Sequence, residues 1–338
     1  MTFRKISFIL GTLLFLISNA IDAQYKIELG SSLGTASYIG DVGGYLPFRS
    51  DSFGTSYKAN IYQKYIKWNT PRFSFSTYAR YKLNKWFAVR ANLGIVHIQG
   101  SDSLNIDPNK VARNLSFRTN VYELGVNVEA NFYLKTYVSR KASSFRHKGS
   151  QKRTDIRAYF FSGLGVIHFT PKAKYADRVY KLRPLATEGE KFTPVSWSLP
   201  LGIGATASFN KNFTIGISYS YHFTGTDYLD DASKYYAVGY KDAAANTNQN
   251  VVGLFLSNRT PEIQAYSNKD KKFNNNLPEG KYFERNDLRG NPANKDGYFI
   301  ANVSVGYMIK GKNKYYRSKS RELSNKKKIT PKKFRAKF

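Results

Sequence analysis

The chain has no cysteine. That excludes a disulfide framework, thiolate metal sites and a lipid-modified N-terminal Cys. Acidic residues are scarce: 23 Asp and Glu stand against 53 Lys and Arg, a formal net charge of +30. Long apolar runs are scarce too. Past residue 17 no segment reaches the ~18 consecutive apolar residues of a transmembrane helix, so a helical bundle in the membrane is excluded. There is also no phosphate loop, no nucleophile elbow and no metal-spaced Cys/His set.

What is present is alternation. Residues 115–133, 194–209 and 213–224 alternate apolar and polar side chains. In the second, Val195, Trp197, Leu199, Leu201, Ile203, Ala205, Ala207 and Phe209 point one way, and Ser196, Ser198, Gly202, Gly204, Thr206 and Ser208 the other. A strand has a side-chain period of two, so each segment has one apolar and one polar face. Segments this long, with aromatics towards their ends, suit tilted strands that cross a bilayer. Aromatics make up 16% of the chain, which fits the girdles of such strands.

The N-terminus reads as a secretion signal over 1–23. Arg4 and Lys5 form a basic start, and Ile6 to Ile17 an apolar run of about twelve residues. Cleavage after Ala20 and after Ala23 both remain open. An exported chain rarely meets nucleic acid, so the high positive charge is not read as a nucleic-acid footprint.

The expected fold is all-β: an eight-stranded antiparallel transmembrane β-barrel over 24–310, with long extracellular loops and a basic periplasmic tail over 311–338. The strands are expected at about 25–34, 72–82, 87–98, 115–133, 156–169, 194–209, 213–224 and 297–309. The fifth is apolar on both faces, so its register stays open. An even count returns both termini to the periplasm. Tight turns around Asn84 and Asn210 then fall on that side, and the loops 35–71, 99–114, 170–193 and 225–296 fall outside. Residues 134–155 stand out as a long periplasmic loop.

An eight-stranded interior is filled by side chains. Glu28, Arg80, Arg90, Glu123 and Glu129 are expected inside together, and buried charges persist only when paired, so a salt-bridge network follows. A lipocalin-like soluble barrel with the faces reversed is the competing reading. The tail 311–338 carries twelve Lys and Arg against Glu322, and 134–155 carries seven against Asp155. A solvated tail over anionic headgroups and a docking arm for an acidic periplasmic partner both fit. The docking residues would be Lys326, Lys327, Lys328, Lys332, Lys333 and Arg335.

A set of short stretches carries a family likeness: 38–43 (YIGDVG), 113–119 (RNLSFRT), 163–169 (GLGVIHF), 182–185 (LRPL), 187–189 (TEG), 199–204 (LPLGIG), 226–231 (TDYLDD) and 289–292 (RGNP). In this order the chain resembles the PorG-like outer-membrane barrels of the type IX secretion and gliding machinery of Bacteroidetes. The resemblance implies a non-catalytic barrel that tethers a periplasmic ring of PorK lipoprotein and PorN to the outer membrane, with no cofactor.

Two other chemistries were weighed. His168, His222, Asp227, Asp230 and Asp231 are the candidates for a rim hydrolase. The run containing Asp227, Tyr228, Asp230 and Asp231 has carboxylates for a divalent cation. Loop capping and pairing with Arg or Lys is the plainer account of that run, and interior hydrogen bonding the plainer account of His222 beside Ser220. A small channel or a surface receptor is the alternative to a scaffold.

Overall fold

The computed structural model describes residues 27–43, 72–104, 108–139, 152–209, 212–239, 251–262 and 283–309. The expected signal peptide and basic tail lie outside the described residues, and so do all six proposed docking residues.

Nine strands are formed: β1 (Ile27–Ile39), β2 (Arg72–Lys82), β3 (Phe87–Ser101), β4 (Ser116–Ser139), β5 (Lys152–Tyr175), β6 (Arg178–Lys181), β7 (Val195–Phe209), β8 (Phe213–Thr224) and β9 (Gly297–Ile309). All pairings are antiparallel. β1 to β4 pair in sequence, β4 pairs β5, β5 pairs β7, and β9 pairs β1, which closes an eight-stranded barrel. The short β6 adds to the outer end of β5.

The alternation decides which way each wall faces. Leu93, Leu124, Leu164, Ile217 and Val303 stand outward and are more than half exposed. An apolar belt of this extent around a water-soluble protein would be a very large exposed patch. Inside are Glu28, Arg80, Asn127, Glu129 and Thr206, all buried. Polar inside and apolar outside is a membrane barrel, not the reversed soluble one.

The interior is filled. Its outer half is an apolar core of Tyr38, Val96, Ile98, Phe117, Ile167, Phe169, Tyr298 and Ile300, capped by Leu229 from the loop after β8. β5 is apolar on both faces for this reason. Phe160, Leu164 and Val166 meet lipid, while Tyr159, Phe161, Ile167 and Phe169 fill the lumen. Glycines make the room: Tyr159 faces Gly204 and Phe161 faces Gly202. A Cβ at either glycine would sit 2.5 Å from the facing ring.

Several strands outrun their expected ends. β1 continues to Ile39 and β3 to Ser101. β4 and β5 are 24 residues each, so much of the expected loop 134–155 is a ladder, with a bulge at Asn131/Tyr133. The expected loop 170–193 holds the end of β5, β6 and a short helix, Leu182–Leu185. The expected loop 225–296 holds the helix Val251–Ser257, and 99–114 holds Pro108–Arg113. The strand extensions have one physical reason. Apolar alternation marks only the part of a strand that meets lipid. Beyond it the backbone ladder persists without strict alternation.

The two expected turns differ in what is described. At 83–86, Asn84 Oδ1 accepts from the amides of Trp86 and Phe87, each at 2.7 Å, which fixes a tight Asx turn. Of the turn at Asn210, only Asn212 is described; its amide donates to Phe209 O at 3.2 Å.

Candidate functional site

Two buried polar networks lie inside the barrel wall, and a third closes its loop-bearing end. The first is near the short-turn end, where β1, β2, β3 and β4 turn charges inward. Arg80 Nη1 lies 2.5 Å from Glu28 Oε1, and Arg80 Nε lies 3.0 Å from Glu129 Oε1. Arg90 reaches Glu129 at 3.4 Å and Lys82 reaches Glu28 at 3.7 Å. Tyr78 donates to Glu28 at 3.2 Å, and the Arg80 guanidinium lies over the rings of Tyr78 and Tyr159. Arg80, Glu28 and Glu129 are fully enclosed, so each charge depends on the others. Arg157, not expected from the sequence, lies over the same Tyr159 ring, 5.3 Å from its centroid, and donates to Thr206 at 3.1 Å.

Glu123 stands apart from that group. It accepts from Ser198 at 2.7 Å and Tyr298 at 2.9 Å, and lies 3.0 Å from His222 Nδ1. His222 Nε2 lies 3.0 Å from Ser220 Oγ. Ser220, His222 and Glu123 thus have the connectivity of a hydrolytic triad. The surroundings oppose that chemistry. All three are buried, and the cavity beside them is about 50 Å³, room for a water or two. His168, the other histidine weighed, faces outward beside Tyr122, on the opposite face of the wall from buried His222.

The third network holds the loops at the outer rim. Asp102 accepts from Gly43 N at 2.9 Å, Leu115 N at 3.1 Å and Arg113 Nε at 2.7 Å. Arg113 passes on to Arg289 O at 2.5 Å and Asp41 O at 2.9 Å. Arg289 donates to Glu188 at 3.1 Å, Ser257 O at 3.1 Å and the backbone of Asp231, and lies 3.4 Å from the Asp231 carboxylate. Thr187 donates to Asp231 at 2.5 Å. Asp230 accepts from Val42 N and Ala232 N, each at 2.9 Å, and Asp296 from Leu229 N at 2.9 Å.

The Tyr38 hydroxyl lies 2.5 Å from both Asp230 and Asp296. One O–H serves one acceptor, so the second contact requires a carboxyl proton. Asp296 is the better holder: burial, then Asp230 beside it, push its pKa well above the usual carboxylate range. Burial also pushes Asp230 up to about 6, and Asp227 and Asp231 up to about 7, with Arg289 pulling Asp231 back. Neither carboxylate oxygen of Asp227 has a well-formed hydrogen bond. Tyr228 leaves the acidic group and stacks on Phe192, centroids 4.6 Å apart.

Among the described residues no cluster of three or more carboxylates and imidazoles is shaped to hold a metal ion. The acidic run caps backbone amides and pairs with Arg289. Asp102, Arg113, Glu188, Arg289 and Asp296 are site residues that the sequence did not lead us to expect. A signal for most of them existed. Tyr38, Asp41, Arg113, Thr187, Glu188, Asp230, Asp231 and Arg289 all lie in stretches that carried the family likeness, and they converge here.

An apolar outer wall, a packed polar lumen and loops gathered at one rim define a closed barrel of the outer-membrane type. No family model matches the chain, and no curated protein does. Among solved structures it is similar to the N-terminal β-barrel domain of Pseudomonas aeruginosa OprF, at 9% identity, covering 85% of this chain and 98% of that one, TM-score 0.30. It is likewise similar to Neisserial surface protein A, at 9% identity, covering 84% and 97%, TM-score 0.30. Ail of Yersinia pestis stands at 10% identity, covering 84% and 97%, TM-score 0.28. Likeness at this level carries no functional argument, and the strand count rests on this chain's own pairing.

Proposed function

We propose that the chain is a non-catalytic outer-membrane component of a type IX secretion and gliding machine, which tethers a periplasmic ring of PorK- and PorN-like proteins. The observation that carries the reading is the convergence of the family-like stretches on one buried network at the loop-bearing rim. Stretches scattered over about 250 residues act there as a unit. The filled lumen supports a scaffold over a channel.

The short-turn end is assigned to the periplasm, by the rule that such barrels turn briefly there and loop at length outside. At that end β4 and β5 run on beyond the wall. β3 begins opposite Ala130, Asn131 still bonds the turn through Trp86 O, and residues 133–139 of β4 pair with β5 alone. At ~3.4 Å per residue this extension reaches ~24 Å past the neighbouring turn. With the tail 311–338 it offers the basic docking surface.

The test is a mild-detergent pull-down of the tagged protein from outer membranes, with co-purified proteins identified by mass spectrometry. A stoichiometric periplasmic lipoprotein and its ring partner are expected, and deletion of 311–338 is expected to release them. Recovery of the barrel alone would overturn the scaffold. The ordered loop platform favours the second reading, a surface receptor, over a channel. Current steps in planar bilayers would point to a channel instead.

A further inference from the structure

The basic residues of the wall are not spread around it. β1, β7, β8 and β9 contain no Lys or Arg at all, while β2 to β6 carry every one that the strands hold. On the outward face of this basic flank the residues are graded. The rungs Leu93–Leu124–Val166 and Ile95–Tyr122–His168 are mostly apolar. The next rung out, His97–Asn120–Thr170, is polar, with His97 and Asn120 2.8 Å apart. The rung beyond it is Gln99–Arg118–Lys172–Lys181.

Two rungs past the last apolar row is ~14 Å along a strand, or ~10 Å along the normal at the usual tilt. That is the depth of lipid headgroups. Arg118, Lys172 and Lys181 make no ion pair with any described residue, unlike Lys174, paired with Asp177 at 2.7 Å, and Arg259, paired with Glu262 at 2.7 Å. Arg259 also donates to Ser116 at 2.6 Å, so its segment overhangs the wall. A groove of about 950 Å³ lies between, lined by Arg72, Arg118, Lys172, Lys174 and Arg259 against only Asp177 and Glu262.

We propose that this groove binds the phosphate-bearing headgroup of a glycolipid in the outer leaflet. Guanidinium forks hold phosphate in two hydrogen bonds, and lysines add point charges. The opposite flank ends in Trp197, Phe223 and Phe299 and has no such row. The barrel therefore orders phosphorylated lipid on one side only. The proposal takes its leaflet from the orientation given above and is independent of the secretion partners.

The experiment uses the full chain refolded into phosphatidylcholine nanodiscs that contain a monophosphorylated glucosamine-based glycolipid, or the same lipid dephosphorylated. Lipid retained on detergent extraction is counted by native mass spectrometry. Retention of the phosphorylated lipid is expected to exceed that of the dephosphorylated one by tenfold or more. Arg118→Gln with Lys172→Gln is expected to abolish the difference, while Lys85→Gln at the short-turn end leaves it intact. Heat-modifiable gel mobility confirms folding, and Lys172→Gln with Lys181→Gln serves if the first pair misfolds. Equal retention of both lipids, or full retention by a folded double variant, would overturn the proposal. Complete displacement by millimolar inorganic phosphate would also overturn it, because the source would then be soluble phosphate. The ring pull-down reads the secretion role separately.

Discussion

The two ends of the barrel bury carboxylates in opposite ways. Near the short turns, Glu28 and Glu129 each face a guanidinium, and Arg80 binds both. At the loop-bearing rim, Asp230 and Asp296 face each other across the Tyr38 hydroxyl. The first arrangement neutralises charge with charge. The second does so with protons and backbone amides. The contrast teaches that the hold on buried carboxylates at the rim depends on a carboxyl proton, while at the short-turn end it depends on guanidinium groups.

The largest expected effect tests the charge-paired end. Arg80→Ala leaves Glu28 and Glu129 enclosed with only the longer contacts of Lys82 and Arg90, at a cost of ~3–5 kcal/mol. Urea unfolding of the refolded barrel, followed by Trp fluorescence, reads this. Arg80→Met with Glu28→Gln and Glu129→Gln is expected to recover most of the loss. If the single variant unfolds with the parent midpoint, the network contributes nothing.

Next comes the rim. Arg289→Ala removes the donor shared by Glu188, Asp231 and Ser257 O. Outer loops should then be cleaved by protease 10–100-fold faster, about 1.4 to 3 kcal/mol of local opening, while the wall stays folded. Loss of wall and loops together would mean that the two regions are one cooperative unit.

A smaller effect separates the regions by pH. Asp227, Asp230, Asp231 and Asp296 bind their protons more tightly in the fold than an unfolded Asp near 3.9 does. Stability from such groups is full below the unfolded value and is lost as pH rises through the folded one. Amide exchange in 226–231 is therefore expected to speed up between about pH 5 and 8, beyond the intrinsic base-catalysed rise. Asp296→Asn should flatten that dependence, and exchange in the wall should not share it.

The smallest effect concerns Asp227, which is buried without a well-formed hydrogen bond. Asp227→Asn is expected to stabilise the rim at pH 8 by under ~1 kcal/mol, since Lys295 and solvent screen part of the cost. Destabilisation would indicate that the carboxylate has a ligand to hold.

What was legible in the sequence was the part that touches lipid. Leu93, Leu124 and Ile203 belong to apolar rows that repeat every second residue because one face of each strand meets lipid and the other the packed lumen, and that period fixes strand and face together. The ends of β4 and β5 were not legible, because residues such as Lys135 and Asp155 obey no apolar pattern while their backbones still pair. Glu28 and Arg80 were readable as inward charges from their parity alone. The rim was not readable from spacing: Arg289 and Asp231 are 58 positions apart, and only the folded loops bring them within hydrogen-bonding reach. β6 was missed because four residues carry too little pattern.

The seam between β1 and β9 has a consequence for how the chain is made. Ile27 pairs Ile309, positions separated by 282 residues, and all 13 pairs of the seam are in continuous register. Every other wall contact links strands that are neighbours in the chain, apart from the small β6 detour. The sheet can therefore grow hairpin by hairpin, but the last joint must wait for both termini. Until then two bare strand edges with apolar faces are open to any other chain. Biogenesis thus ends with a single, late ring closure, and a chaperone that shields those edges is of most use at that moment.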